Sequence, residues 1–370
     1  MMIRTRWLYV LVVVVLLAIV SLPVAGLGKE LYPGEAELHK LAKKEGVVVS
    51  YDTGPTWANW QGLFDAFEKR YGIDISYNDL GSGATVVRLE KERVRPQGDT
   101  AYYFMPFGAM AADKGVTQPF RPVNFDKIPE VLRHPNGDWF CIHKGTVVIV
   151  VNKRLVKDVP EGWNDLLKPN YRKCVVYLDP RTAGIGYAVV LATAHAVGGD
   201  IDNLEPGIEY LANLQKSGNV RMIEKTTEYD KFVKGEVPVW LTYDFNAYRA
   251  KYIGELGDDV GIVVPKEGTI TAPYAISMVK GAPHPNSAKL WLNFIMSEEG
   301  QKIFAEGFVR PILDVDYPET VKDKFLPASE YSRAKDIDWI KAQAVQAEAA
   351  SLWAEMVLGE RSGERRVGKE

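Results

Sequence analysis

Cysteine is scarce in this 370-residue chain: only Cys141 and Cys174 occur. Both fall mid-chain beside predicted strands. Spacing alone does not show whether their Cα atoms approach closely enough for a disulfide, so a bridge and two buried thiols both stay open. Histidine is sparse too. His39, His134, His143, His195 and His284 are scattered and never form the i, i+4 pair of a metal-binding helix. No Gly-x-Ser-x-Gly nucleophile elbow occurs. Gly81-Ser82-Gly83-Ala84-Thr85-Val86 carries Val86 where a dinucleotide fingerprint needs its third glycine. Gly363, Gly368 and Lys369 have phosphate-loop spacing, but Glu370 stands where Ser or Thr is required, with no strand before it. The formal net charge is −3, so no basic excess points to nucleic acid. No catalytic residues, metal or cofactor are therefore expected, and nothing in the sequence demands catalysis.

Long apolar runs are absent beyond the N-terminus. Arg4 and Arg6 precede an apolar stretch from Trp7 to Val20, followed by small residues at Val24, Ala25 and Gly26. That is the order of a secretory signal, so residues 1–26 are expected to be a signal peptide. The run falls short of the ~20 apolar residues of a span. No cysteine near the cut offers a lipid site. The expected location is the periplasm or another extracytoplasmic space, with membrane tethering if the segment is retained.

The remainder reads as alternating strands and helices. Val47–Tyr51, Ile73–Tyr77 and Thr100–Phe104 are β-rich; Trp57–Tyr71 and Thr85–Val94 between them have helical spacing. This rhythm predicts a parallel sheet covered by helices. A second α/β block follows, with strands at Gly145–Asn152, Cys174–Leu178 and Val237–Thr242 and helices at Ile185–Val197, Glu205–Gln215 and Phe245–Ile253. Strands at Val260–Val264 and Ala275–Lys280, and helices at Asn286–Ser297 and Glu299–Phe304, return the chain to the first block. A long helix, Ile337–Leu358, closes it. The expected division is 27–118 plus 268–310 for one lobe, 119–267 plus 311–360 for the other, and a disordered tail at 361–370. Two lobes joined by several crossings make a hinged cleft.

In open α/β sheets ligands bind at the carboxyl ends of strands, and four loops there are candidates. Tyr51, Asp52, Thr53 and Trp57 follow the first strand and offer hydroxyls, a carboxylate and an aromatic wall. Ser82, Gly83, Ala84 and Thr85 open a helix whose first-turn N–H groups attract anions. Thr182, Ala183 and Gly184 open another in the second block, so two helix starts could grip one anion from both sides. Tyr243, Asp244 and Asn246 can hydrogen-bond a hydroxyl or amine, and Tyr274 supplies a further wall. His143 and Lys144 precede the central strand and could reach the hinge.

Phe64–Ile73, Arg95–Asp99, Val264–Gly268, Val279–Lys289 and Phe294–Gln301, taken in that order, carry a resemblance to the bacterial extracellular solute-binding proteins that serve ABC importers, including ferric-iron, polyamine, thiamine and sugar-phosphate binders. The resemblance covers nearly all of the chain after the signal. It implies an α/β, two-lobe, type II-like periplasmic-binding-protein fold, a small-molecule ligand, an ABC permease as partner and a monomer. Iron binders of the family use adjacent tyrosines, whereas Tyr243 is followed here by Asp244 and the next tyrosine is Tyr248. The polyamine pattern would draw on Trp57, Trp60, Asp52 and Asp244, but Thr269–Tyr274 lacks its Trp and Asp. The paired helix starts resemble the sugar-phosphate branch, so the leading expectation is a phosphorylated or phosphonate-bearing organic molecule. A polyamine or ferric-iron ligand, and an exported hydrolase, remain alternatives.

Overall fold

The computed structural model describes residues 28–224 and 228–360; the expected signal peptide and the expected disordered tail lie outside them. The chain opens with α1 (Glu35–Glu45), β1 (Val47–Tyr51), α2 (Trp60–Tyr71), β2 (Asp74–Tyr77), α3 (Ser82–Lys91), β3 (Thr100–Phe104) and α4 (Met105–Asp113). β1 pairs in parallel with both β2 and β3, because a helical crossover separates each strand from the next. α2 buries Trp60, Leu63, Phe64, Phe67 and Tyr71, the stripe its three-to-four-residue spacing predicts. α4 springs directly from the end of β3 with Pro106 in its first turn, where a missing N–H costs nothing.

The chain continues through β4 (Thr117–Gln118), β5 (Phe140–Asn152), β6 (Val175–Leu178), α5 (Gly184–Ala196), α6 (Glu205–Lys216), β7 (Val220–Glu224), α7 (Tyr229–Val233), β8 (Val239–Tyr243), α8 (Asp244–Tyr252) and β9 (Val260–Val263). It then runs through β10 (Thr269–Val279), α9 (Pro285–Ile295), α10 (Glu298–Glu306), β11 (Arg310–Pro311), α11 (Ala328–Tyr331), β12 (Ala334–Lys335) and α12 (Trp339–Leu358). The strand path is β2-β1-β3-β10-β5-β8-β6-β7. It is mixed rather than wholly parallel as predicted: β10 runs antiparallel to β3 and β5, and β5 antiparallel to β8.

Those two long strands tie the halves together. β5 pairs β10 through Phe140–Thr146, then β8 through Val147–Val151. The change of partner therefore falls inside a strand rather than in a linker. β10 begins at Thr269, six residues before the predicted start. Pro273 hides that start, because proline cannot donate to a ladder; it sits beside the register shift at Tyr274/Ala275. α5 is buried from Gly184 to Ala194 and carries no charged residue before His195, as suits a helix covered on all sides. α12 lies against both α4 and α6, so it touches both halves. Cys141, buried in β5, and Cys174, just before β6, are both free thiols.

Candidate functional site

Beneath the facing starts of α3 and α5 lies a cavity of ≈ 50 Å³, bordered by Asp52, Trp57, Asp79, Gly81, Ser82, Tyr102, Leu178, Ala183, Gly184, Ile185 and Tyr274. Room for a water is ~10–15 Å³, so the space holds roughly three to five water-sized groups. Among the described residues no lysine or arginine borders it.

The two helix starts are locally under-bonded. Neither Gly81 before α3 nor Ala183 before α5 caps its helix with a side chain. Gly83 N–H donates to the Thr182 carbonyl at 3.2 Å, a bond that spans the two halves. The amides of Ser82, Ala84, Gly184, Ile185 and Gly186 donate to no acceptor among the described residues, and Ser82, Gly184 and Ile185 border the cavity. Unpaired first-turn amides at the positive ends of two helix dipoles favour an anion between them.

Gly184 permits this approach. A Cβ there would overlap Phe104 Cβ and lie 2.9 Å from Ser82 Oγ and 3.2 Å from the Tyr274 hydroxyl. Gly81 has φ 83°, open to glycine, and a Cβ there would meet the Thr182 carbonyl oxygen at 2.9 Å. Ser82 is buried, and its Oγ accepts the Phe104 N–H at 2.9 Å, which ties the start of α3 to the end of β3.

Asp52 occupies the left-handed region at φ 61°, which aspartate tolerates better than most residues. Its Oδ1 accepts the Gly81 N–H at 2.7 Å and the Leu80 N–H at 3.2 Å, while Oδ2 has no hydrogen bond among the described residues. Burial, reinforced by the nearby Asp79 carboxylate and only partly offset by those two amides, pushes the Asp52 pKa up to about 8. Asp79 is exposed at the cavity's edge, where partial desolvation also raises its pKa, and it has no hydrogen bond or ion pair among the described residues.

The aromatic side of the cavity is fixed by a relay. Trp57 Nε1 donates to the Tyr102 hydroxyl at 3.0 Å, and Tyr102 lies 2.7 Å from His143 Nε2. Complete burial lowers His143 to about 3, so its ring is neutral. Tyr274 stacks on Tyr102 at 5.0 Å and on His143 at 5.3 Å.

Of the residues expected from sequence, Asp52, Trp57, Ser82, Ala183, Gly184 and Tyr274 border the cavity together. The others are placed elsewhere. Tyr51 donates its hydroxyl to Glu92 under the Arg88 guanidinium. Thr53 and Thr85 are buried, their hydroxyls bonded to the Ser50 and Gly81 carbonyls. Gly83 and Thr182 meet each other through backbone, and Ala84 flanks them. Tyr243 is fully buried against Tyr274, their ring centroids 5.6 Å apart. Asp244 is taken by Arg310 and by the Thr146 N–H, and Asn246 donates to Thr242. Tyr248 bonds Tyr331 and does not border the cavity. His143 lies beneath it, whereas Lys144 is exposed. Gly81 and Ile185 lie within the two candidate helix-start loops, whereas Asp79, Tyr102 and Leu178 were not anticipated. For Asp79 a signal existed, since it follows β2 and stands two residues before Gly81.

A sequence model of the family described as bacterial extracellular solute-binding proteins matches residues 99–344. A periplasmic protein of Salmonella typhimurium, provisionally named for binding 2-aminoethylphosphonate, is 30% identical over 302 residues, covering 78% of this chain and 83% of that protein. The solved periplasmic binding protein AfuA of Actinobacillus pleuropneumoniae, with fructose-6-phosphate bound, superposes with TM-score 0.72 at 23% identity, over 85% of this chain and 99% of that one. The ferric binding protein of Campylobacter jejuni gives TM-score 0.66 at 21% identity, over 84% and 99%. These two likenesses show the shared two-lobe fold.

Proposed function

The chain belongs to the bacterial extracellular solute-binding proteins, and on that premise we propose that it captures a small phosphonate- or phosphate-bearing organic molecule and hands it to an ABC permease. The carrying observation is the pair of opposed helix starts, which present unpaired amides to one cavity that no basic side chain among the described residues borders. Amides and helix dipoles hold an anion without a competing fixed cation. The cavity's size favours a ligand of few heavy atoms over a hexose phosphate or thiamine. The name of the Salmonella relative points the same way.

We read the lobes as residues 28–118 with the return through α9 and α10, and the β6–β9 region with the chain's end, hinged where β5 and β10 cross. Closure would seal the ligand between α3 and α5, and the Arg249 bond to the Thr56 carbonyl would help hold it shut. The protein then acts by binding alone, outside the cytoplasm, as a monomer. A thermal-shift screen of the secreted protein tests this. Ligand at 100 times its Kd stabilises the fold by about 2.7 kcal/mol. Small phosphonates are expected to raise Tm by several degrees. Putrescine, thiamine and ferric citrate are expected to leave it unmoved, and a shift with one of these alone would reverse the assignment.

A further inference from the structure

We propose that Asp52 and Asp79 form an ammonium subsite, so that the ligand is a zwitterion carrying an amine a few bonds from its phosphonate. This rests on the phosphonate reading above and extends it to the other end of the molecule. The cavity holds two carboxylates and no lysine, arginine or histidine on its border. Two helix starts supply roughly half a positive charge each, which a phosphonate consumes by itself. Burial holds Asp52 largely protonated in the empty cavity, and an ammonium brought by the ligand would stabilise its ionised form together with that of Asp79.

Three independent features support this. Asp52 is 7% exposed, yet its Oδ2 has no hydrogen bond among the described residues, while Oδ1 is occupied by backbone amides of the same turn that opens α3. Asp79 is an exposed border residue with no ion pair among the described residues, brought close by Gly54, where a Cβ would lie 2.7 Å from Asp79 Oδ2. Trp57, Tyr102 and Tyr274 border the same space, and aromatic faces favour a cation. No lysine or arginine on β1, β2, β3 or β10 reaches the cavity to neutralise either acid; the groups facing Asp52 are Asp79, Tyr102 and Tyr274. Inorganic phosphate or sulfate would add negative charge beside two acids and is expected to bind poorly.

Calorimetric titrations of the full mature protein with 2-aminoethylphosphonate, ethylphosphonate and inorganic phosphate test the assignment. In the wild type the amine-bearing ligand is expected to bind at least about 30-fold more tightly than ethylphosphonate, as a charge-assisted bond warrants. Asp52→Asn should collapse that ratio to a few-fold by weakening the amine ligand alone. Asp79→Asn touches no backbone amide, so it guards against misfolding of the first variant; it should reduce the ratio by about 3- to 10-fold. Equal binding of both phosphonates by the wild type would overturn the subsite while leaving the phosphonate reading intact. Equal weakening of both ligands by Asp52→Asn, with no effect of Asp79→Asn, would also overturn it, since Asp52 would then act only on the Gly81 turn. Failure of both phosphonates to bind would instead remove the reading beneath it.

Discussion

Gly184→Ala separates closure from folding. The new Cβ would overlap Phe104 Cβ and stand 2.9 Å from Ser82 Oγ, and both neighbours belong to the other half of the molecule. Opening the cleft relieves the clash, so the variant should fold normally but close badly. Overpacking by one methyl costs ~1–3 kcal/mol. At about 1.4 kcal/mol per decade that weakens ligand binding roughly 5- to 150-fold. Gly186→Ala is the matched control. Its Cβ would meet backbone of the same half, the Leu178 carbonyl oxygen and Asp179 C at 2.7 Å, and no hinge motion relieves that. It should lower Tm, whereas Gly184→Ala should leave the ligand-free Tm within about 2 °C. Titration calorimetry and melting curves on both variants suffice. Unchanged affinity in Gly184→Ala, or an equal Tm loss in both, would refute the view that α5 closes onto β3 and α3.

Asp52 predicts a pH signature. Its carboxyl is raised from 3.8 to about 8 in the fold, so the native state binds more protons than the unfolded chain between those values. Stability relative to Asp52→Asn should therefore fall as pH rises through that window, with a slope approaching about 1.4 kcal/mol per pH unit. Urea melts of both proteins at pH 5, 6.5 and 8.5 check it, and a pH-independent difference would refute it. Arg310 and Asp244 form a buried pair at the junction of β5 and α8, with Arg310 also stacked 3.7 Å over the Tyr331 ring. Arg310→Ala should cost ~3–5 kcal/mol by stranding the Asp244 charge, read as a lower urea midpoint; a loss under about 1 kcal/mol would show the pair to be dispensable. Cys141 is fully buried and its thiol is raised by burial, so alkylation of the native protein should spare it until urea unfolds the chain. Mass mapping after brief labelling reads this directly.

The parts legible in the sequence were those fixed locally. A helix start needs only its own glycines and small residues, so Ser82 and Gly184, which border the cavity, could each be singled out from one stretch of chain. Strand-helix alternation likewise gave the parallel β2-β1-β3 unit. What escaped depends on distant partners. Asp244 looks free at the end of β8, but Arg310, 66 residues on, occupies it. Asp79 looks like a turn residue, and only the fold of β1 beside β2 sets it near Asp52. β5 and β10 were cut short because Lys144 and Pro273 break the apolar run where the strands pass between the halves, and there exposure and proline are tolerated.

Opposed helix starts also fix how much closure the ligand must supply. Turning a cleft from 1% to 99% closed takes about 5.5 kcal/mol of differential binding. The Ser82, Gly184 and Ile185 amides can bond water in an open cleft or an anion in a closed one. A hydrogen bond to a charged group exceeds a neutral one by roughly 0.5–2 kcal/mol, so three of them give about 1.5–6 kcal/mol. The phosphonate head alone therefore reaches the threshold only at the top of its range, and the amine end must complete the switch. Small-angle scattering should show an expanded form without ligand, a partly contracted average with saturating ethylphosphonate, and full contraction with 2-aminoethylphosphonate. A free protein already as compact as the liganded one would mean that closure precedes the ligand, and that the amides on α3 and α5 do not drive it.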